Sequence, residues 1–501
     1  MIAFFLIAIC VCMANPSIWP QPVKVTNGKE IFCIDSNKIE LKVNLVSEII
    51  QTAYSELFSE IFDHSSLSLN GECIKVIQIN VSHNDTQPSL EMDESYSISI
   101  TKETDPIKIT CSTAFGAIYA LSTLSQLIRF SFDDSLYIIE DCPITIEDKP
   151  RFKHRGLLID SARHYLPLNF IKSIIDSMRY VKLNVLHWQL IDDQSEPVQS
   201  KVFEKWWNAA FSKYERYTLN DIHSIVSYAE NRGIRVVPEL NIPGHSVSWC
   251  TGYPELCPST TCKTPLSPAS ASTIPFITKI MQEWGGDQSN SGLFDDEYFH
   301  LGGNDVDAVI DWMKQKGYTI KDTYKYMLSE AKKALTIRHH KTIFYDDAYP
   351  IIQSSLVNDS VIQMLSSTSK IKEITKEGYN VIISDSDHWH ANRIMNVWTK
   401  AYDYDFVSLV EAAQSSKILG GEVVIYGDYI DASDFYSTLY PTAAAVAEKL
   451  WSPASNATSA TVKDRLHLFR FYLHQRGIGA SPLTSKNNRD APDGPGSCID
   501  Q

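Results

Sequence analysis

The sequence predicts an α/β chain built as a (β/α)8 TIM barrel preceded by an α+β domain. Three observations carry this. From about residue 152, eight short apolar runs alternate with amphipathic stretches. The residues able to do chemistry cluster at the C-terminal ends of those runs, where barrels of this class place their sites. The 501-residue length suits two domains rather than one.

In chain order, Met1 to Ala14 (MIAFFLIAICVCMA) is apolar, too short to span a bilayer and ends in small residues, so 1–14 reads as a secretory signal. Residues 18–145 form the first domain. Strand-like stretches lie at 39–45, 73–82 and 95–101, and apolar residues at helical spacing predict a helix from Ala114 to Arg129. A sheet covered by helices, without catalytic residues, is the expectation there. The barrel occupies 152–483, with strands expected at 154–160, 182–192, 233–240, 297–303, 341–346, 360–365, 380–384 and 418–427, and helices at 169–180 and 219–231. The tail 484–501, rich in Asn, Asp, Gly and Pro, reads as loop.

Composition excludes some classes. The 60 acidic and 45 basic residues give a formal net charge of −15 without a basic patch, which argues against a nucleic-acid partner. After the signal no run of about 18 apolar residues occurs, so no membrane partner is expected. Beyond Cys10 and Cys12, eight cysteines remain, an even number that suits an oxidising compartment. Cys250, Cys257 and Cys262 admit disulfide or zinc readings; the absence of a paired C-x2-C favours disulfides. Sequons at Asn80, Asn84, Asn358 and Asn456 fit secretion.

Four segments carry the chemistry: Arg155 to Tyr165 (RGLLIDSARHY), Lys182 to Asp193 (KLNVLHWQLIDD), Val237 to His245 (VPELNIPGH) and Phe299 to Asp307 (FHLGGNDVD). An Arg fork such as Arg163 can grip vicinal hydroxyls, although a surface ion pair is an equally good reading of an arginine alone. Adjacent acids such as Asp192 and Asp193 are costly unless solvated or partnered. A lone His is more often structural, but the Pro-Gly-His context at a strand end points His245 to function.

Together these segments resemble the β-N-acetylhexosaminidases, glycoside hydrolase family 20, over almost the whole mature chain. FHLGGND resembles the family's HLGGDEV. The resemblance implies substrate-assisted retaining hydrolysis of terminal N-acetylhexosamine, one of the exceptions to the two-carboxylate scheme. In the family an Asp orients the acetamido group and balances the oxazolinium, and a Glu acts as acid and base. Those positions read Asn304 and Asp305 here. Asn304 carries no charge and Asp305 is one methylene shorter, so reduced activity is expected, or a role as a non-catalytic partner subunit or glycan-binding relative.

The resemblance further assigns His245 and Asp192 to the catalytic network, with Gln189 and Asn241 standing where the family has His and Asp. It assigns Arg163 and Glu239 to substrate binding. Phe344, Leu365 and Tyr426 stand at tryptophan positions of the sugar pocket, Asp346 and Asp428 at glutamates, and His390 at a tyrosine. N-acetylhexosamine-terminated glycans are the implied substrates. A homo- or heterodimer with a related subunit is the implied assembly, in a lysosome-like compartment, granule or the medium. No metal or cofactor is expected.

Overall fold

In the computed structural model the described residues are 16–483, apart from 67–72, 84, 260–265, 268–269, 304–313, 315–316, 318, 357–358 and 392–396. The signal segment 1–14, the tail 484–501, Asn84, Asn358, Cys262, Cys498, Asn304 and Asp305 therefore lie outside them.

The first domain contains strands β1 (Lys24–Ile34), β2 (Glu40–Val43), β3 (Val76–Val81), β4 (Tyr96–Ile100), β5 (Ile107–Cys111), β6 (Ile128–Ser131) and β7 (Leu136–Asp148). They form one sheet in the order β1-β7-β4-β5-β3-β2, with β6 also on β7. Helices α1 (Glu48–Ile61) and α2 (Ala114–Leu127) complete it. The α2 helix stops two residues before the predicted Arg129, because Ile128 turns extended and pairs with Ile139. Burial alternates along β3, β4 and β5, as expected for a sheet with unequal faces.

The second domain closes a parallel barrel from β8 (His154–Asp160), β9 (Val185–Gln189), β10 (Arg235–Glu239), β11 (Tyr298–His300), β12 (Lys341–Tyr345), β13 (Val361–Met364), β14 (Asn380–Ile383) and β15 (Ile418–Ile425). All eight predicted strands form. The predicted helices appear as Leu168–Tyr180 and Leu219–Glu230, the latter with a Thr218–Asp221 capping box at its start.

Alternation along each strand sorts side chains between the barrel interior and the surrounding helices. The interior fills in layers. At one end Val185, Val237, Tyr298, Ile343, Val361 and Ile382 pack together. At the other Leu158, Tyr345, Leu365 and Val424 pack with Tyr426 against them. Between these apolar layers lies a polar one containing His187, Glu239, His300, Gln363 and Glu422, every member at most 1% exposed. Gly156 pairs with Glu422 across β8 and β15, and a Cβ there would strike the Glu422 side chain. The glycine makes room for a buried carboxylate.

Outward-facing charged residues bolt the domains together. Arg155, fully buried, donates from Nη1 and Nη2 to Glu94 at 2.9 and 2.6 Å. Lys182 Nζ donates to Asp148 at 2.9 Å with both side chains inaccessible, and Trp451 Nε1 donates to the same carboxylate. Breaking one partner of such a pair strands the other charge. Glu94→Ala is expected to lower unfolding free energy by about 3–5 kcal/mol, read from the shift of a urea transition. A shift under about 1 kcal/mol would mean that water replaces Glu94 around Arg155.

The described cysteines bear out the expected disulfides in part. Cys33 pairs with Cys73 and Cys250 with Cys257, but Cys111 and Cys142 are free and buried. Burial pushes both thiols up to about 12, so they pack as small apolar side chains.

Candidate active site

Three of the predicted residues converge at the C-terminal ends of adjacent strands. Arg163 follows β8, Asp192 follows β9 and His245 follows β10. Arg163 donates from Nη1 to Asp160 Oδ2 at 2.6 Å. Its Nη2 pairs with Asp192 Oδ2 at 2.9 Å and its Nε lies 3.4 Å from Asp428 Oδ1. Burial alone would depress the guanidinium pKa, but Asp160, Asp192 and Asp428 outweigh it and hold it above the usual range. The fork is thus rigidly placed, with 14% of the side chain still exposed. Asp160 sets the loop that presents it, accepting from the N–H groups of Ala162 and Arg163 and, from the end of the neighbouring strand β15, of Gly427.

Asp192 is almost fully buried. Its Oδ1 lies 3.0 Å from His245 Nδ1 and accepts from the Asp193 N–H at 2.6 Å. Gln189, which the sequence resemblance matches to a family histidine, donates its Nε2 to Asp192 Oδ2. A carboxylate at Nδ1 favours the proton there. His245 has a left-handed φ of 49°. A histidine rarely adopts this without compensation, and such strain concentrates at functional sites. Asn241 accepts the Gly303 N–H on Oδ1 at 2.9 Å, so this replacement holds backbone.

The wall residues divide. Tyr426 lies under the Arg163 guanidinium, whose carbon is 5.3 Å from the ring centroid, and His390 meets the same ring edge-on at 5.7 Å. Leu365 packs in the layer just beneath. Asp428 is exposed beside Arg163. These four share one mouth with Arg163, Asp192 and His245.

Three placements differ from expectation. Phe344 belongs to the core between strands and helices, because strand alternation sends it outward and Tyr345 inward. Asp346 accepts the N–H groups of Leu365, Ser366 and Ser367, so it shapes the next loop. Glu239 is fully buried in the polar layer, where its Oε2 accepts from Tyr345 Oη at 2.7 Å and lies 3.0 Å from His187 Nε2.

That layer was missed in the sequence. Glu422 accepts from His154 Nε2 at 2.7 Å, His187 Nδ1 at 2.9 Å and Gln363 Nε2 at 2.9 Å. Burial would lower the His187 pKa, but Glu422 and Glu239 push it up to about 9. Burial would raise Glu239, but His300, which takes up its proton only in the same acid range, and the cationic His187 bring it down to about 2. Burial drives His300 down to about 3, so it is neutral. A cationic His187 between two carboxylates is therefore the electrostatic keel of the barrel. Histidines and acids at inward positions of otherwise apolar strands were the available signal.

The chain matches the model described as "Glycosyl hydrolase family 20, catalytic domain" over residues 152–454, and that described as "beta-acetyl hexosaminidase like" over 18–127. Beta-hexosaminidase 3 of Arabidopsis thaliana is 34% identical, the alignment covering 97% of this chain and 94% of the relative. Beta-hexosaminidase subunit B1 of Dictyostelium discoideum is 31% identical over 94% of this chain and 90% of its own. The chitobiase of Flavobacterium johnsoniae shares the fold, with a TM-score of 0.78 at 24% identity over 92% of this chain and 73% of that one. With the barrel closed, Arg163, Asp192 and His245 gathered at its mouth, and the catalytic-domain model spanning more than half its length, the chain belongs to glycosyl hydrolase family 20, among the β-hexosaminidases.

Proposed function

We propose that the chain removes terminal β-linked N-acetylhexosamine, GlcNAc or GalNAc, from glycans by substrate-assisted retaining hydrolysis, itself or as one subunit of a hexosaminidase assembly. The convergence of Arg163, Asp192 and His245, in a chain that matches the family's catalytic-domain model, carries this reading. Arg163 and Asp428 bind sugar hydroxyls, while Tyr426, Leu365 and His390 wall the sugar. His245, held by Asp192, tunes the acid. Asp305 protonates the leaving oxygen and later activates water, and Asn304 orients the acetamido group through hydrogen bonds alone. No step calls for a metal or cofactor.

One observation favours a second role. Asn304 and Asp305 stand where the family has Asp and Glu, which lowers intrinsic turnover and suits a chain that supports a more active partner. Relatives named as hexosaminidase subunits support an assembly. Entry into the secretory pathway is supported by the apolar N-terminus, the two disulfides and the exposed sequon residue Asn456.

The test uses purified chain with three aryl substrates: an N-acetyl-β-glucosaminide, an N-acetyl-β-galactosaminide and a β-glucoside. Turnover of one or both acetamido sugars with none of the glucoside is expected. Comparable hydrolysis of the glucoside would contradict acetamido participation. No turnover of any substrate, with co-elution alongside an active related subunit, would favour the supporting role.

A further inference from the structure

The four backbone N–H and C=O groups of Gly302 and Gly303 each have a partner. The Gly302 N–H donates to His300 Nδ1 at 3.0 Å, and its carbonyl accepts from the Tyr345 N–H at 2.9 Å. The Gly303 N–H donates to Asn241 Oδ1 at 2.9 Å, and its carbonyl accepts from Tyr324 Oη at 2.7 Å. Three of these partners belong to the barrel strands and their ends. Tyr324 comes from outside, on the helix Ile320–Thr336. Both glycines are left-handed, with φ of 68° and 88°. A Cβ on Gly302 would strike the Asn241 carboxamide, and one on Gly303 would lie 2.8 Å from Ala348 Cβ and 2.9 Å from Tyr324 Oη. The turn is a fitted cradle that only glycine enters.

We infer that Tyr324 is a positioning residue: its hydroxyl and the Asn241 carboxamide clamp Gly303 from two sides and so fix the backbone immediately before Asn304 and Asp305. Tyr324 is fully buried. Phenylalanine would fill the same space without taking a hydroxyl out of water, so the hydroxyl is retained for the bond it makes. His300, whose Nδ1 accepts a backbone proton, must be neutral for its part of the grip, in accord with its burial. The clamp matters because a displacement of about 1 Å in a catalytic group can cost on the order of 100-fold in rate. The catalytic consequence rests on the hydrolase reading above; the clamp itself does not.

The test compares the full chain with Tyr324→Phe and Asn241→Asp. Hydrogen–deuterium exchange is followed in the peptide covering residues 299–305, together with kcat and KM on an aryl N-acetyl-β-glucosaminide. Tyr324→Phe is expected to raise exchange at the glycine turn and to lower kcat, each about tenfold, with KM within about twofold and exchange elsewhere unchanged. Asn241→Asp keeps the Oδ1 acceptor and is expected to keep the turn protected. Exchange in Tyr324→Phe within about twofold of the unmodified chain would overturn the clamp, as would a rise spread over the whole barrel. If the unmodified chain shows no turnover, catalysis by this chain alone fails while the exchange comparison still decides the clamp.

Discussion

Changing Asn304→Asp and Asp305→Glu together is expected to raise kcat on an aryl N-acetyl-β-glucosaminide by at least about 100-fold. Two effects contribute. Lengthening the acid by one methylene returns a carboxyl displaced by about 1 Å, a shift that can cost on the order of 100-fold. Restoring the neighbouring carboxylate supplies a charge opposite the developing oxazolinium, by analogy with oxyanion sites about 3 kcal/mol. The positions are adjacent, so the two gains will not simply multiply. Each single change should recover less than the pair, since either leaves one defect in place. KM should move little, because the gain lies in the transition state. A gain below about tenfold would shift the cause of low turnover to the pocket wall, where the sequence resemblance matches Leu365 and Tyr426 to tryptophans.

The second large effect lies beneath the site. Glu422→Gln is expected to lower unfolding free energy at pH 7 by about 3–5 kcal/mol, because it strips the buried His187 cation of one of its two carboxylates. The pH dependence gives an independent signature. The His187 pKa rises on folding from 6.5 to about 9. Its contribution is fully present below pH 6.5 and is lost as pH rises through about 9. Glu239 falls from 4.5 to about 2, so its contribution is present above pH 4.5 and is lost as pH falls through about 2. Neutral His300 adds a loss as pH falls below 6.5, because the unfolded chain binds a proton that the folded one refuses until about pH 3. Urea midpoints of the unmodified chain should therefore decline on both flanks, and Glu422→Gln should flatten the alkaline one. An unchanged alkaline slope would mean that His187 is neutral in the folded chain.

The barrel was legible because buried parallel strands are apolar almost throughout, and eight such runs stand clear of their amphipathic helices. Strand ends were less so. The run at 182–192 narrows to Val185–Gln189, since Lys182 takes a left-handed φ of 62° and sends its amine back to the first domain. In that domain β1 and β7 were hidden: β1 is largely exposed, and β7 carries Pro143 and acids among its apolar residues.

At the site, Arg163, Asp192 and His245 could be found because each sits in a dense local motif. Phe344 could not be placed by motif, since one step along a strand reverses the face. Its neighbour Tyr345 is the residue that reaches Glu239. The polar layer is spread over β8, β9, β10, β11, β13 and β15, so no local window contains it. Tyr324 and the grip on Gly303 depend on a helix meeting a turn, which no spacing in the sequence encodes.

The most direct measurement is turnover of an aryl N-acetyl-β-glucosaminide by the purified chain beside its Asp305→Asn variant, prepared identically. The variant keeps size and hydrogen bonding but cannot donate or accept the catalytic proton. Slow turnover by the unmodified chain, reduced at least about 100-fold in the variant, is the predicted result. Equal rates in the two preparations would contradict catalysis by this chain's own barrel.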